Sequence, residues 1–301
     1  MTSASTITAS TTISPGNRAI RSAALADIDG LKARHPAAFV ASGSKRALAI
    51  GLPLAAVLLA LGAMVWLDFS LVRIWNGLHR LGQFAVLMMP PAPEGRFGAF
   101  AIALGETLAI AFLGTLTAAI LAFPVAFLAA KNVIPNIFVH FGMRRTFDVF
   151  RSVDTLIWAL MWINVVGLGP FAGVLAIACA DFGALGKLFS EAIESTDGKA
   201  TEGIAASGGN KAHQVRFGLV PQVLPVIASQ ILYFFESNTR SATIIGIVGA
   251  GGVGAYLTEL IRVLELQQVA FLILMILVTV AVIDFISSKL RLAVIGKSKI
   301  V

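Results

Sequence analysis

Long apolar stretches without charged residues place the strongest limit on how this chain can fold. Ala47 to Leu67 and Thr107 to Ala130 contain no Asp, Glu, Lys or Arg. Each is long enough to cross a hydrocarbon core of about 30 Å as a helix. Only 13% of the 301 residues are charged and 57% are hydrophobic, whereas charged residues make up roughly 25% of soluble domains. The sequence therefore predicts an all-α, polytopic membrane protein.

Hydropathy and turn signals predict six transmembrane helices. A Gly-Leu-Gly-Pro turn at 167–170 divides one long apolar run into two spans. Ser241 to Thr258 is also free of charge, but a seventh crossing there would move the basic C-terminus away from most other Lys and Arg residues. A short re-entrant or interfacial segment is predicted there instead. The predicted spans are 47–67, 107–130, 149–167, 170–188, 217–235 and 266–283.

The distribution of basic residues predicts the orientation. Most of the 23 Lys and Arg residues fall on one side of the six-span arrangement, and that side is expected to be cytoplasmic. Because topology accounts for these charges, they do not indicate a nucleic-acid partner. The predicted organisation is a cytoplasmic N-terminal tail (1–46), a first span and outer loop (47–98), a main transmembrane domain (99–290) and a cytoplasmic C-terminal tail (291–301). The Ser/Thr/Ala-rich tail also has the composition of a transit peptide, so bacterial and organellar origins both stay open.

A glycine cluster in the apolar segment satisfies a nucleotide-binding pattern in letters only. Gly249 to Gly254 reads G-x-G-x-x-G, yet the dinucleotide fingerprint requires a preceding strand and a soluble βαβ unit. Glycines between membrane helices more often permit close approach of backbones. We therefore expect five glycines to pack closely at a dimer seam or gate: Gly246, Gly249, Gly251, Gly252 and Gly254.

A polar segment at 191–225 interrupts the last three spans on the predicted cytoplasmic side. Glu202 to Ala206 can form a short helix, Gly208-Gly209 can end it with left-handed backbone geometry, and a second helix can start near Asn210. Such a protrusion is either a solvated connector or a docking element for a cytoplasmic partner.

Two opposite charges lie within the apolar region near the predicted outer end of span five. Glu236 and Arg240 are spaced i, i+4, so they share one face of a helix. One interpretation is a structural ion pair. The other is that Arg240, with Asn238, Ser241 and Thr243, donates hydrogen bonds to an anionic substrate in a translocation pathway. Glu106 and Asp181 are lone acidic residues with lower functional priority.

The polar segment resembles the EAA loop of ABC importer permeases, whose pattern is E-A-A, three residues, G, nine residues, I-x-L-P. Glu202, Gly208 and Pro221 hold the Glu, Gly and Pro positions with the spacing intact, while Gly203-Ile204 replaces Ala-Ala and Gly218 and Val220 replace Ile and Leu. From about 100 to 290 the chain is similar to the permease subunit of phosphonate importers, the PhnE type. LYFFESNTRSATIIGIVGAGGVG carries the most specific part of this resemblance.

The resemblance implies an ABC type I importer permease in a bacterial inner membrane, with no enzymatic site of its own. It implies a homodimer of permeases, two ATPase subunits that bind ATP and Mg²⁺, and a periplasmic or lipoprotein substrate-binding protein. The chain itself is expected to bind no cofactor. The predicted substrate is a phosphonate or a related phosphorus oxyanion, and the alternative is another small solute such as phosphite, phosphate or an amino acid.

Other classes of site have little support in the sequence. The four histidines show no ligand spacing, and the single cysteine, Cys179, excludes a Cys-based metal site within one chain. An intramembrane enzyme would need His, Asp or Glu residues that converge across spans, and the sequence shows isolated charges. Neither a metal site nor a catalytic residue is predicted.

Overall fold

The computed structural model describes residues 29, 30, 33 and 43–298, and this part of the chain is helical with no strand. It divides into two compact units, Met1–His79 and Arg80–Val301. Most of the predicted N-terminal tail and the last three residues of the predicted C-terminal tail lie outside the described residues.

The first unit contains the first predicted span. Helix α1 covers Gly43–Trp66 and includes Pro53. Its segment Ala49–Trp66 is long and apolar enough to cross a membrane, in agreement with the predicted span 47–67. A turn at Asp68, with a φ of +50°, precedes α2 (Leu71–Leu87), which begins in this unit and ends in the second.

The second unit contains the remaining predicted spans and the polar segment. A π-helical turn at Gln214–Leu219 separates two of its helices. The helices are α3 (Phe97–Ala129), α4 (Ile137–Ser152), α5 (Thr155–Val166), α6 (Pro170–Glu194), α7 (Lys199–Ala206), α8 (Lys211–His213), α9 (Val220–Ile247), α10 (Val253–Arg262) and α11 (Leu266–Ser298).

Five helices in the described part of the chain are long and apolar enough to span a membrane, or six if one bent pair counts as a span. That pair is α4 and α5, which meet at 84°. The predicted span 149–167 therefore contains a sharp break near its start. The break occurs because Asp154 has extended backbone and its carboxylate accepts a hydrogen bond from Leu156 N at 2.8 Å, which starts a new helix.

The predicted fifth span and the segment after it also need correction. Helix α9 continues past residue 235 to Ile247, so Ser241–Ile247 are not part of a separate re-entrant segment. After a glycine turn, α10 returns for ten residues, about 15 Å of helix, which is too short to cross a membrane. At the C-terminus, α11 extends to Ser298 and therefore includes residues predicted as tail.

Small residues allow the central helices to pack closely. Helices α3 and α6 form the most extensive helix–helix contact, and the side of α3 facing the core is rich in alanine. A Cβ atom on Gly114 of α3 would lie 2.7 Å from Ile177 of α6, so only glycine fits at that crossing. This is the packing expected of membrane helices, whose association depends on close van der Waals contact.

Helix α4 packs against α6 in the same way. The ring of Phe147 lies directly over Gly186, where a Cβ would come within 2.3 Å of a ring carbon, and the α4 backbone passes over Gly183. Lys187 Nζ donates to Asp148 Oδ1 at 2.8 Å beside this contact. The first arm of the bent pair is thereby fixed to α6.

Candidate functional site

The polar segment folds as a helix, a glycine turn and a second helix, as predicted from its sequence. Helix α7 carries Glu202, whose side chain is exposed, and Gly208 follows it with a φ of +86°. Asn210 then begins the next helix, because its side chain accepts a hydrogen bond from His213 N at 2.9 Å. We call residues 195–221 the coupling loop. Pro221, which is exposed, lies in the first turn of α9.

Two glycines of the coupling loop, Gly209 in the predicted turn and Gly218 at the Ile position of the EAA pattern, allow close contact between its parts. A Cβ on Gly209 would lie 2.6 Å from Ile204 Cγ2, and one on Gly218 would lie 2.8 Å from Thr201 Cγ2. Helix α7 therefore rests directly on the start of the following helical segment. Gly218 stands where the EAA pattern has Ile, and this departure brings the two backbones closer together.

A π-helical turn joins the coupling loop to α9. Val220 N donates to Val215 O, five residues earlier, and Pro221 follows without an N–H to donate. Gln222 Nε2 donates to Gly218 O at 2.7 Å. Because π turns are rare and are frequently found at functional sites, this turn marks the junction as a place where helix geometry departs from the regular form.

The end of α6 next to the coupling loop is tied to the α3–α4 connection. Glu194 accepts hydrogen bonds from Lys131 N at 2.9 Å and from Arg144 Nη2 at 2.8 Å. Asn132 Nδ2 donates to Ile193 O at 2.7 Å. A cavity of about 280 Å³ lies beside these residues and is bordered by Thr201 and other residues of the coupling loop.

Arg240 and Glu236 lie on one face of α9, as their spacing predicts, but each has a closer partner on α11. Arg240 Nη1 donates to both carboxylate oxygens of Asp284, at 3.1 and 3.2 Å. Arg291 Nη2 lies 2.8 Å from Glu236 Oε2, whereas Arg240 Nη2 is 3.9 Å from Glu236 Oε1. The four residues form a row of alternating charge, which we call the charge row. Asp284 and Arg291 were missed because their proximity depends on the antiparallel packing of α9 and α11.

Asn238 faces the opposite direction and is buried. Its amide donates to Thr115 Oγ1 of α3 at 2.8 Å and to Asp181 of α6. Asp181, which the sequence showed as a lone charge, is thus bonded within a polar contact among three helices. Ser241 and Thr243 donate to backbone oxygens of Ser237 and Thr239 at 3.5 and 3.3 Å. Of the predicted pathway residues, Arg240 is the most exposed.

The predicted packing glycines surround the turn between α9 and α10. Gly249, Gly251 and Gly252 have positive φ angles. Gly246 and Gly254 bring α9 and α10 into contact, since a Cβ on Gly246 would lie 2.5 Å from Gly251 O.

The glycine turn also contacts the rest of the second unit. Gly169 N donates to Gly249 O at 3.0 Å, and Val253 N donates to Thr107 Oγ1 at 2.8 Å. A Cβ on Gly251 would lie 2.8 Å from a carboxylate oxygen of Glu106. These glycines therefore pack within one chain, and their place at a dimer seam or gate stays a prediction.

No group of three or more His, Cys, Asp or Glu side chains that could hold a metal ion occurs in the part of the chain that the structure describes. The charge row balances two arginines against two carboxylates, so the chemistry that it shows is ion pairing.

The bundle of helices long and apolar enough to span a membrane agrees with the class of transport permeases, which a comparison with known families identifies. Residues 122–294 match the family described as binding-protein-dependent transport system inner membrane component. The match covers more than half of the chain, which belongs to this family.

Relatives of known name fall in the same class. The chain is 38% identical over 245 residues to a putative phosphite transport system permease protein, HtxC, of Stutzerimonas stutzeri, covering 81% of this chain and 86% of the relative. It is 48% identical over 118 residues to the putative cryptic phosphonate transport system permease protein PhnE2 of Escherichia coli, covering 39% of this chain and 97% of that protein.

A solved structure has the same fold. The MetNI methionine ABC transporter in an inward-facing conformation matches with a TM-score of 0.59 at 18% identity, covering 67% of this chain and 99% of the matched chain. At this level of identity the likeness concerns the fold, which is that of an ABC importer permease.

Proposed function

We propose that this chain is the transmembrane permease subunit of an ATP-driven ABC importer for phosphonates or related phosphorus oxyanions. The observation that carries the proposal is a coupling loop joined without interruption to α9, the helix that bears Arg240. Relatives named for phosphite and phosphonate transport support the substrate class. Phosphite and phosphonates share a tetrahedral phosphorus centre with charged oxygens.

The proposed assembly contains two copies of this permease, two ATPase subunits that bind ATP and Mg²⁺, and an external substrate-binding protein. The exposed Glu202 face of α7 docks on the ATPase. When the ATPases close, movement of the coupling loop passes through the π turn to α9, because Gly209 and Gly218 lock α7 against that turn. In this proposal both termini lie in the cytoplasm of a bacterial cell, and the distribution of basic residues supports that orientation.

The proposed translocation pathway runs along α9 past Arg240. Its planar guanidinium suits a phosphorus oxyanion because it can donate two parallel hydrogen bonds. Arg240 is 47% exposed in the single chain. A charge at this depth is unfavourable against lipid, so this face is expected to border a water-filled space between two permease copies.

A related solute is the alternative. An importer of the same superfamily could carry an amino acid, and the fold likeness to a methionine transporter does not distinguish the two. The exposed guanidinium of Arg240 is the feature that favours an anionic substrate.

The test of the proposal is co-purification followed by uptake. The tagged permease is expressed with candidate ATPase and binding-protein subunits from the same genome, and uptake of radiolabelled phosphite and methylphosphonate is measured in proteoliposomes. The variant Gly208→Val should lose the ATPase, because a β-branched residue is strained at a φ of +86°. Gly203→Ala is the matched control, since a Cβ there meets no atom within 4 Å.

The outcomes separate the parts of the proposal. Retention of the ATPase by the wild type and Gly203→Ala, with loss in Gly208→Val, supports the coupling loop. An assembled complex that imports methionine but neither phosphorus compound would overturn the substrate class while the permease role stands.

A further inference from the structure

Asp284 holds Arg240 in a way that leaves part of the guanidinium free. Both carboxylate oxygens of Asp284 accept from the same nitrogen, Nη1, at 3.1 and 3.2 Å. The strongest Arg–carboxylate arrangement uses two nitrogens in parallel. Arg240 Nη2 is 3.9 Å from Glu236 and therefore beyond hydrogen-bond length. The fork of Arg240 is occupied at one position only.

The other pair of the charge row, Glu236 and Arg291, is less exposed to solvent. Glu236 and Arg291 approach to 2.8 Å, and their side chains are 13% and 24% exposed, compared with 47% for Arg240 and 41% for Asp284. Since Glu236 is engaged by Arg291, Asp284 is the main counter-ion of Arg240. The row thus has a partly buried ion pair between α9 and α11 and a more exposed pair that an incoming ion can reach.

We propose that Asp284 is an internal competitor of the substrate: it occupies Arg240 in the empty pathway and is displaced by the phosphorus oxyanion. This inference rests on the proposed function. A phosphite or phosphonate group offers oxygens to both Nη1 and Nη2, whereas the carboxylate uses Nη1 alone. Displacement replaces one set of charge-assisted bonds by another, so the substrate is held weakly and leaves readily.

Competition also explains how the site selects its substrate. Separating Arg240 from Asp284 has the same cost for every solute, and a neutral solute brings no charge to replace that of the carboxylate at Arg240. An oxyanion supplies the replacement charge for Arg240. Asp284 is therefore a specificity-determining residue that acts through Arg240.

The experiment measures ATP-dependent uptake of phosphite and methylphosphonate by the reconstituted importer containing Asp284→Asn. Removal of the competitor should lower the KM for import about fivefold, the ratio that corresponds to an exposed ion pair of about 1 kcal/mol, and should also lower the maximum rate because release becomes slower. Asp68→Asn is the matched control. Asp68 is exposed in the α1–α2 turn, and Asn tolerates its φ of +50°.

Two further variants keep the inference testable if Asp284→Asn does not assemble. Arg240→Lys preserves the charge and the pairing with Asp284 but removes the fork, so its KM should rise about fivefold or more. The double exchange Arg240→Asp with Asp284→Arg keeps an ion pair but transposes its charges. This variant should not import, because the guanidinium is no longer at position 240.

An unchanged KM in Asp284→Asn or Arg240→Lys would overturn the inference, and so would full import by the exchanged pair, since that outcome indicates a purely structural ion pair. In each of these cases the wild type still imports the phosphorus compounds, and the proposed function stands. If the assembled wild type imports neither compound, the proposed function and this inference both fail.

Discussion

Single residues in this permease are constrained mainly by what they touch on other helices. Gly254 of α10 lies against the backbone of α9, where a Cβ would clash with Thr243 O. Asn238 of α9 bridges Thr115 of α3 and Asp181 of α6. In both cases the atoms concerned are fixed by the backbone or buried, so the structure has little freedom to adjust to a substitution.

Gly254→Ala should therefore destabilise the permease. The nearest atoms belong to backbone and cannot rotate away, so the expected loss in the free energy of unfolding is about 2 kcal/mol or more. Thermal unfolding in detergent, followed by tryptophan fluorescence, measures it. Gly105→Ala serves as the control because a Cβ there meets no atom within 4 Å, and it should be neutral or slightly stabilising. Equal melting temperatures for the two variants would contradict the packing described for the glycine turn.

Asn238→Leu should be equally harmful for a different reason. The substitution removes the amide that donates to Asp181 and Thr115, and a buried acceptor left without its donor costs about 1–3 kcal/mol. Asn164→Leu is the control, since exposed Asn164 bonds only the carbonyl of Leu160 on its own helix among the contacts seen. The same unfolding assay applies. A stable Asn238→Leu protein with reduced import would instead favour the pathway role predicted for Asn238 from the sequence.

At the scale of helices, local signals predicted what lies close in sequence and failed where tertiary contacts decide. The apolar run 47–67 and the Gly208 turn were predicted because composition and glycine geometry act locally. The break at Asp154 has a local cause, an N-cap, that the hydropathy count overlooked. The end of α9 at Ile247 depends on contacts with α10, and the partner of Arg240 lies on α11. Such contacts between distant segments cannot be read from one segment alone.

Pro221 lies directly after the π turn and cannot donate a backbone hydrogen bond, which favours the irregular helix geometry at this junction. In Pro221→Ala a new N–H becomes available, and we expect the π turn Gln214–Leu219 to relax toward α-helical bonding. Helix α9 would then rotate relative to the coupling loop, so fewer substrate molecules should be imported for each ATP hydrolysed. The measurement is the ratio of uptake to phosphate release in proteoliposomes. Pro53→Ala, which removes a proline from the interior of α1, should leave the ratio unchanged, and an unchanged ratio in Pro221→Ala would show that the turn does not transmit movement.

At the scale of the whole molecule, the second unit carries the glycine turn at one end and the coupling loop at the other. The glycine turn adjoins the start of α6 through Gly169, and the coupling loop adjoins its end through Glu194. Because α6 is long enough to span a membrane, the two ends are expected on opposite sides. The sequence predicted this from its basic residues, although it could not reveal which residues tie each end to α6.

Cysteine labelling tests this arrangement. In a Cys179→Ala background, Leu168→Cys at the glycine-turn end should react with a membrane-impermeant maleimide in right-side-out vesicles, because Leu168 is 76% exposed. Ser207→Cys in the coupling loop should react only in inside-out vesicles. Labelling of both positions from the same side would contradict the proposed topology.

The unequal packing of α3, α6 and α11 determines how this molecule can deform. Helices α3 and α6 interlock over most of their shared length, whereas α11 meets α3 over a small area and is attached chiefly to α9. Helices α3 and α6 thus form a closely packed pair, and α11 is attached to the bundle more loosely. Helix α9 contacts all three. We expect a displacement that enters through α9 to widen or narrow the gap between α11 and the α3–α6 pair. The ion pairs between α9 and α11 lie along that boundary, so we expect their breaking and re-forming to limit how far the gap opens.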